Sequence, residues 1–337
     1  MALSLQRDVD ELRDGLERWL GRPIGALTRP DPGWSCETLI VDDELVVRLP
    51  PLGEGIFPTY DLAQQAAVQG AAGACGVPVA APIRHEPDPG YLGAEFLVMP
   101  FVPGPIPGEF TAGDPWLTGL GDDGDRRQVW DATVTTICDI HEVDRDRIDR
   151  LGLRQGLDAE LVWWGDYLEW ACDGDAPVRL VDALAWCAAN RPAEEPEGAL
   201  LWGDVRFGNI VFDAATLRPR AVLDWDMASI GPAELDLAWF LALEALQVDL
   251  TGMSVAGFGD RAEAAGTIEG RLGRRLVDLD WFEVFALVRA SAISTRIAVL
   301  FGRAGERTRF SIDRDPTLAA AEARIEARIT DGARSRP

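Results

Sequence analysis

Residues 199–239 read ALLWGDVRFGNIVFDAATLRPRAVLDWDMASIGPAELDLAW, and this stretch decides the fold. Two short runs of β-forming residues, NIVFD and PRAVLDW, flank a turn within it. Asp204 and Asn209 lie five positions apart in a glycine-bracketed loop before the first run, and Asp224 follows 15 positions later in the second. One interpretation is a buried hairpin whose Asp and Asn side chains only cap turns.

The spacing of these three residues also fits a chemical function. Phosphoryl transfer needs a carboxylate to orient or deprotonate the attacking hydroxyl, oxygen ligands for Mg²⁺, and a cation on the nucleotide phosphates. Asp204, Asn209 and Asp224 have the spacing of the catalytic Asp, the metal-binding Asn and the second metal-binding Asp of kinases. We therefore prefer a phosphotransferase site to simple turn capping.

The chain outside this stretch divides into two parts of different character. Residues 3–20 have the spacing of an amphipathic helix, and the segment up to 102 predicts a small antiparallel sheet with one inserted helix. From about residue 127 the apolar spacing is mostly helical. We expect an α+β, two-lobe fold with an N-terminal lobe over 1–102 and a helical C-terminal lobe over 103–337, joined by the Pro- and Gly-rich VPGPIPG segment.

Composition excludes several classes of function. The 337 residues carry a formal net charge of -24, which disfavours nucleic acid as a partner and would steer a cationic small molecule favourably. The chain contains no lysine, so a Walker A loop and Schiff-base chemistry are excluded. It also lacks the GxSxG and HExxH motifs of other enzyme classes.

Location and redox state follow from the same composition. No window approaches the ~20 uninterrupted apolar residues of a spanning helix, and the N-terminus does not resemble a signal peptide, so we expect a cytoplasmic protein that does not enter the membrane. Five cysteines lie far apart without a CxxC pair, which argues against a disulfide framework or a zinc cage.

The motifs resemble those of the aminoglycoside phosphotransferase and choline kinase family, which has a protein-kinase-like fold. WGDVRFGNIVFD and VLDWDMASIGPAELDLAW are similar to its HGDxxxxN and hDWxxxxxGxxxxDLA segments, ICDIHEVD to a helix end common in that family, and FLVMPFVPG to its strand-to-hinge segment. Together these segments cover roughly residues 30 to 300. The resemblance implies a small-molecule kinase that transfers the γ-phosphoryl group of ATP or GTP to a hydroxyl.

The resemblance also assigns roles to residues of this chain. It makes Asp204, in a catalytic loop over 202–209, the candidate base, and it makes Asn209 and Asp224 the Mg²⁺ ligands. The metal-binding segment is 223–238, where Asp226 is a second candidate ligand. Asp236 within it is expected to brace the catalytic loop by hydrogen bonding.

Three positions depart from the family pattern. Trp202 stands where the family has a His, which replaces a polar support by a large apolar ring. Arg48 stands where kinases have the Lys that contacts phosphates. Gln65, or less favourably Gln64, stands in place of the helical Glu that holds that basic residue, and we expect it to hydrogen-bond Arg48 without neutralising it. Together the departures motivate an alternative, a catalytically weak or inactive binding protein of the same fold.

The remaining candidates would contact the nucleotide. The resemblance places a phosphate-covering loop near residues 31–38, with Gly33 and Ser35, and places Met99 and Phe101 at the strand-to-hinge segment beside the base. Backbone N–H groups of such a loop can cradle an anion. Cys36 in this loop is the one thiol to test for reactivity, although an unreactive thiol is the favoured interpretation.

The sequence leaves the phosphoryl acceptor undetermined. An aromatic helix face, made of Trp163, Trp164, Tyr167 and Trp170, suits a cationic group, but the same spacing suits plain helix packing, which we favour. Glu234, Glu244 and Asp166 have the charge to bind an amine, but acidic residues are too common in this chain for that to be informative. An antibiotic, a choline-like molecule, a sugar, an amino alcohol and a hydroxyacyl thioester all remain open, as does the oligomeric state.

Overall fold

The computed structural model describes residues 7–30, 35–303 and 315–334. Its helices are α1 Val9–Leu20, α2 Leu62–Ala74, α3 Pro115–Thr118, α4 Asp123–His141, α5 Arg145–Ile148, α6 Leu157–Ala171, α7 Val178–Ala189, α8 Glu234–Thr251, α9 Arg261–Leu272, α10 Leu279–Arg303 and α11 Pro316–Arg334. Its strands are β1 Leu27–Thr28, β2 Glu37–Val41, β3 Leu45–Leu49, β4 Arg84–Glu86, β5 Phe96–Pro100, β6 Ala199–Leu201, β7 Ile210–Phe212, β8 Pro219–Val222 and β9 Ser229–Gly231.

The N-terminal part is an antiparallel sheet of five strands in the order β1-β2-β3-β5-β4. Asp42 and Asp43 form the β2–β3 turn with φ angles of 53° and 52°, the left-handed conformation that a tight hairpin requires. Helix α1 packs Leu12 and Leu16 onto the sheet. The predicted helix over 3–20 therefore exists, but it begins at Val9 with Asp8 as its N-cap; residues 3–6 lie outside the described part of the chain.

The chain leaves the sheet through an irregular connector over 101–110. The backbone N–H of Phe212 donates to the carbonyl oxygen of Pro105 at 2.9 Å, so the connector packs against β7. A Cβ atom on Gly104 would lie 2.1 Å from the carbonyl oxygen of Phe212, which makes glycine necessary at this contact. The connector is thus fixed directly beside the strand that follows the loop of Asp204.

The rest of the described chain is mostly helical and contains the larger core. Helix α10 lies at its centre, in contact with α6, α7, α8 and α11. It is long and apolar enough to cross a membrane by length and composition, but 67% of its most apolar window is buried in this fold, as in a core helix. Full burial of large side chains such as Trp281 and Phe285 stabilises the fold by about 1.5–3 kcal/mol each.

Two short antiparallel pairs are embedded among the helices. One is β7–β8, the hairpin that the sequence predicts from NIVFD and PRAVLDW. The other is β6–β9, which joins the two ends of the 199–231 segment and which the sequence does not reveal, because each strand has only three residues. The predicted α+β fold with a small antiparallel sheet and a larger helical part is confirmed.

Candidate active site

The loop between β6 and β7 carries Asp204 and is shaped by a glycine. Gly203 has a φ of 92°, and a Cβ atom on it would lie 2.4 Å from the carbonyl oxygen of Met227. A side chain is therefore excluded at this position by both conformation and space. The loop ends in a 3-10 turn over Phe207–Asn209, which returns the chain to β7.

Asp236, in the first turn of α8, holds this loop from below. Its Oδ1 accepts a hydrogen bond from the Gly203 backbone N–H at 2.9 Å, and its Oδ2 accepts one from the Trp202 N–H at 2.9 Å. Nε2 of the buried His141 lies 3.1 Å from the same Oδ2. The carboxylate is 1% exposed, so all of its contacts are within the protein. Through these hydrogen bonds Asp236 braces the loop, as expected from the sequence.

Trp202 is buried but does not act as a purely apolar ring. Its indole Nε1 donates to the carbonyl oxygens of Leu223 and Asp224, at 2.8 and 3.1 Å. The sequence-based expectation that a polar support is lost here is therefore wrong in part, because the indole N–H supplies a donor. The ring links the catalytic loop to the segment that carries Asp224.

The carboxylate of Asp204 is oriented by three neighbours. Its Oδ1 accepts a hydrogen bond from Trp239 Nε1 at 3.1 Å, and its Oδ2 accepts one from Asn209 Nδ2 at 2.7 Å. Arg206 Nε lies 3.2 Å from Oδ2, and the charge of Asp204 raises the pKa of this arginine. The Asp204 side chain remains 17% exposed. It is thus held in one orientation and stays open to a substrate on one side.

Asp224 lies in a strained backbone conformation next to a cation. Its φ is 58°, a left-handed value that non-glycine residues seldom adopt and that is common at functional sites. Its Oδ1 accepts a hydrogen bond from Arg48 Nη2 at 3.3 Å. Burial alone would raise the pKa of Asp224, but the Arg48 guanidinium, a hydrogen bond with Asp226 and the charge of Arg206 together outweigh it and hold that pKa below its ordinary value. The carboxylate is therefore ionised and suited to a cation.

The second acidic residue of this segment, Asp226, behaves differently. Its side chain is 4% exposed and its Oδ2 lies 3.5 Å from Arg48 Nη2. Burial, and then the negative charge of Asp224, raise the pKa of Asp226 to about 7. Asp226 therefore shares the arginine with Asp224 but is more easily protonated, which makes Asp224 the better candidate for a metal ligand.

The residues present fit a Mg²⁺ ion. The Asn209 amide nitrogen donates to the backbone carbonyl of Asp204 at 3.0 Å and to its carboxylate, which leaves the amide oxygen as a possible ligand. The Leu223 N–H donates to the Asn209 carbonyl oxygen at 2.8 Å, so the Asn209 and Asp224 segments are tied together. No cluster of three or more His, Cys, Asp or Glu residues suited to a metal occurs in the described ranges. A site with one carboxylate and one amide relies on substrate phosphates and water for the remaining ligands.

The structure corrects the expected partner of Gln65. Gln65 is buried on α2, and its Nε2 donates to Oδ1 of Asp226 rather than to Arg48. Arg48, on β3, forms its ion pairs with Asp224 and Asp226 instead. Its charge is therefore countered by two carboxylates of the 223–238 segment, and the predicted hydrogen bond between Gln65 and Arg48 is not formed. Gln64, the other helical candidate, donates to the carbonyl oxygen of Leu151.

The nucleotide-contact candidates are only partly described. Gly33 lies outside the described residues. Ser35 is buried, and a hydrogen bond between its side chain and Asp226 lowers the pKa of that carboxyl group. Burial raises the pKa of the neighbouring Cys36 thiol to about 12, so this cysteine is protonated and unreactive at neutral pH.

Met99 and Phe101 lie where the sheet meets the helical part. Met99 is buried in an apolar cluster that joins Leu97 of β5 to Val211 and Ala221 of the β7–β8 hairpin. The backbone N–H of Phe101 donates to the carbonyl oxygen of Glu44 at 2.7 Å, which fixes the start of the connector. The cluster extends to the partly buried Leu223, the residue before Asp224.

Two functional neighbours were missed by sequence reasoning. Trp239 on α8 donates a hydrogen bond to Asp204. It follows directly after the DLA motif, and this position next to a motif is the sequence signal that could have identified it. Arg289 on α10 packs its guanidinium against Trp239, with Cζ 4.8 Å from the ring centroid. No motif marks Arg289, because it is distant in sequence from every catalytic segment.

The aromatic face of α6 packs inside the protein, as favoured from the sequence. Trp164 and Tyr167 are 1% exposed, and the hydroxyl group of Tyr167 donates to the carbonyl oxygen of Ile56. The rings do stack on cations, but these are arginines of the chain itself: Arg154 on Trp163, Arg289 on Trp164 and Arg296 on Trp170.

A cavity of about 340 Å³ lies behind the catalytic loop. Phe258 in its wall stacks on Phe207 of the loop, with ring centroids 4.8 Å apart. Glu244 lines the cavity and accepts a hydrogen bond from Thr111 Oγ1 at 3.2 Å. Burial raises the pKa of Glu244 to about 7, because no cation among the described residues pairs with it.

Comparison with known proteins gives the family. The family model described as "Phosphotransferase enzyme family" matches residues 26–276. Acyl-CoA dehydrogenase family member 11 of Homo sapiens is 30% identical over 198 residues, which cover 58% of this chain and 24% of that protein. The chain therefore spans about a quarter of the length of this curated relative.

Solved structures show the same fold. The GDP complex of aminoglycoside 2'-phosphotransferase-IIIa has a TM-score of 0.60 at 14% identity, over 96% of this chain and 100% of that one. The ADP-bound aminoglycoside phosphotransferase APH(2'')-Ib has a TM-score of 0.54 at 12% identity, over 94% of this chain and 97% of that one. With the family model covering most of its length, the chain belongs to the phosphotransferase enzyme family and has its protein-kinase-like two-lobe fold.

Proposed function

We propose that this protein is a small-molecule kinase that transfers the γ-phosphoryl group of ATP or GTP to a substrate hydroxyl. One observation carries the proposal: Asn209 hydrogen-bonds the Asp204 carboxylate while its backbone is tied to Leu223, the residue before Asp224. The candidate base and both candidate metal ligands are thereby held as one unit. The negative charges of Asp204 and Asp224 both raise the pKa of Arg206, which supports the proximity of the two carboxylates.

Asp204 is the proposed base. Trp239 and Asn209 donate to its two oxygens from different sides, so the carboxylate is fixed in rotation and faces the acceptor with its exposed edge. A positioned carboxylate aligns the hydroxyl and accepts its proton as the bond to phosphorus forms. Arg206 beside it balances the charge of the carboxylate before substrate binds.

Asn209 and Asp224 are the proposed Mg²⁺ ligands. Bound Mg²⁺ neutralises the charge on the transferring phosphoryl group and its leaving group. Arg48 is the proposed phosphate contact: its guanidinium holds Asp224 and Asp226 in this structure and has further donors for phosphate oxygens. Gln65 and Ser35 support the same cluster through Asp226.

The nucleotide base is proposed to lie against the apolar surface near Met99 and Phe101. The fold relatives are complexes with GDP and with ADP, so both purine nucleotides are candidates. The acceptor is a small molecule with a hydroxyl group, and the net charge of -24 would draw a cationic one from a distance. The five cysteines of the protein are free thiols, as is usual in the reducing cytoplasm, and this supports the proposal that the protein works there.

The second candidate function is a catalytically weak or inactive binding protein of this fold. The observation that favours it is the double ion pair of Arg48 with Asp224 and Asp226, which occupies the phosphate contact with carboxylates. A kinase has to release part of this pairing when a nucleotide enters. An inactive protein would retain it.

Calorimetric titration with ATP and GTP, with and without Mg²⁺, separates the two functions. A working kinase binds at least one nucleotide in a Mg²⁺-dependent way, and Asp224→Asn abolishes the metal dependence. Asp213→Asn is the matched control, because Asp213 only caps the β7–β8 turn through the N–H groups of Ala215 and Thr216. Absence of binding by either nucleotide at millimolar concentration would reject the kinase.

A further inference from the structure

Two buried arginines on α10 have similar surroundings but different partners. Arg289 and Arg296 are 4% and 2% exposed. Each packs its guanidinium on a tryptophan of α6: Cζ of Arg289 lies 5.1 Å from the Trp164 ring centroid, and Cζ of Arg296 lies 4.2 Å from that of Trp170. The pair therefore allows a direct comparison of what each guanidinium does.

Arg296 has a complete structural explanation. Its Nε donates to the carbonyl oxygen of Gly55 at 3.0 Å, and its Nη2 lies 3.3 Å from Oε2 of Glu54. These contacts tie α10 to the segment that precedes α2. This arginine has the hydrogen bonds that a buried guanidinium needs.

Arg289 lacks such partners among the residues that the structure describes. The Nε atom of Arg289 is buried and donates to no atom of the described residues. No carboxylate of those residues forms an ion pair with the Arg289 guanidinium. Two tryptophan rings, Trp164 and Trp239, pack against it instead. Burial lowers the pKa of Arg289, which reflects the cost of a charge removed from water without an oxygen partner.

The acidic groups around Arg289 are committed to other donors. Glu160 accepts hydrogen bonds from Arg154 at 3.1 Å and from Trp164 Nε1 at 3.2 Å. Asp236 holds the catalytic loop, as described above. Their charges act on Arg289 from a distance, but their oxygens do not fill its donors. The buried Nε is therefore left with a donor that an oxygen atom from outside the chain would satisfy.

Trp239 places Arg289 next to the candidate base. The face of its indole ring packs on the guanidinium, while its Nε1 donates to Oδ1 of Asp204. The charges of Asp204 and Arg289 also interact. A single indole ring therefore contacts both the candidate base and the Arg289 guanidinium.

We propose that Arg289 binds an oxyanion, a carboxylate or a phosphate group, carried by the acceptor whose hydroxyl lies at Asp204. This inference rests on the proposed kinase function and narrows its acceptor to small hydroxy acids or hydroxylated phosphate esters. A guanidinium presents paired donors that match the oxygens of both groups. The tryptophan walls exclude water, which strengthens the pairing. Arg154 adds positive charge to the same cluster, and the nearby Glu160 and Asp236 carboxylates already have hydrogen-bond donors of their own.

The test measures acceptor binding without nucleotide, so that it does not depend on turnover. Calorimetry on the full chain compares hydroxybutyrate with neutral butanediol, glycerol phosphate with neutral glycerol, and choline as a cation. We expect at least one anion to bind about tenfold or more tightly than its neutral counterpart. The pair that shows the preference identifies a carboxylate or a phosphate as the ligand group. The inference is overturned if wild type shows no preference for either anion, or if choline binds most tightly.

Variants then assign the preference to one residue. Arg289→Met removes the charge and keeps an apolar stem, so it should abolish the preference, whereas Arg289→Lys should retain part of it because the charge remains. The matched control is Arg296→Met, which should lower the melting temperature and leave the preference intact. Persistence of the preference in folded Arg289→Met would overturn the inference. The same wild-type sample is also titrated with nucleotide in the presence of Mg²⁺, which keeps the two proposals separate. If the protein binds the anion but no nucleotide, only the proposed kinase function is rejected.

Discussion

The indole nitrogen of Trp202 lies 3.1 Å from the carbonyl oxygen of Asp224, so the side chain at the family's histidine position supports the metal-binding segment directly. The same nitrogen lies 2.8 Å from the carbonyl oxygen of Leu223. The departure from the family motif therefore replaces one polar support by another. Activity does not require a histidine here if the role is to hold this backbone.

Replacing Trp202 by Phe tests this role. Trp202→Phe keeps a buried ring but removes the donor, and it leaves the carbonyl oxygens of Leu223 and Asp224 with one partner fewer. We expect the free energy of unfolding to fall by about 1–3 kcal/mol in chemical denaturation, and Mg²⁺-dependent nucleotide binding to weaken.

The control for Trp202 is another buried tryptophan on a different element. Trp281 on α10 donates its indole N–H to the carbonyl oxygen of Cys187 at 3.1 Å. Trp281→Phe should cost a similar free energy of unfolding without affecting nucleotide binding in the folded protein. Equal nucleotide affinity in the two variants would contradict a supporting role for Trp202.

Asp204→Asn tests the candidate base. The variant loses a positioned proton acceptor, so its turnover number on any substrate that the wild type phosphorylates should fall by about a hundredfold to ten-thousandfold. Nucleotide affinity should change little, because Asn209 and Asp224 remain. Coupled detection of nucleoside diphosphate measures the first quantity and calorimetry the second. Full turnover by the variant would show that Asp204 is not the base.

The sequence predicted the parts of this molecule that lie close together along the chain. Asp204, Asn209 and Asp224 belong to one segment of fixed spacing, and the β7–β8 hairpin that holds them follows from local β propensity and a turn. The helix positions were equally accessible, because helical spacing is a local signal. The boundary of α1 was less so, because its start depends on capping by Asp8.

Contacts between distant segments were not accessible in this way. The expected pairing of Gln65 with Arg48 was wrong because the three-dimensional arrangement offers Gln65 a closer acceptor, Asp226. The stacking of Arg289 between Trp164 and Trp239 joins three helices whose order in the chain says nothing of their contact. Neither result follows from residue types or spacing.

Gln65→Glu tests the neutrality of this position. The introduced carboxyl group would face the buried Asp226 carboxylate where Gln65 now donates a hydrogen bond, so two acids would compete for one proton. We expect the free energy of unfolding to fall by about 1–3 kcal/mol at about pH 8 and to recover in acid. Gln64→Glu is the control, because the Gln64 side chain donates to the Leu151 carbonyl oxygen rather than to a carboxylate. A gain in stability would instead indicate that the new carboxylate pairs with Arg48.

Glu244 should make the stability of the protein depend on pH. Burial raises the pKa of this carboxyl group to about 7 from its ordinary 4.5, so the folded protein binds a proton that the unfolded chain has released. Between these two values the folded state holds more protons, and stability therefore falls as pH rises. The stability contribution of the protonated Glu244 is complete below about pH 4.5 and is lost as pH passes through about 7.

Denaturation at a series of pH values should show that the free energy of unfolding falls by on the order of 2 kcal/mol over this window. Glu244→Gln should remove this fall. The exposed Glu326, mutated to Gln, should leave the profile unchanged. An identical slope in wild type and Glu244→Gln would mean that the carboxyl group is solvated, and hence that the cavity beside the catalytic loop is filled with water at neutral pH.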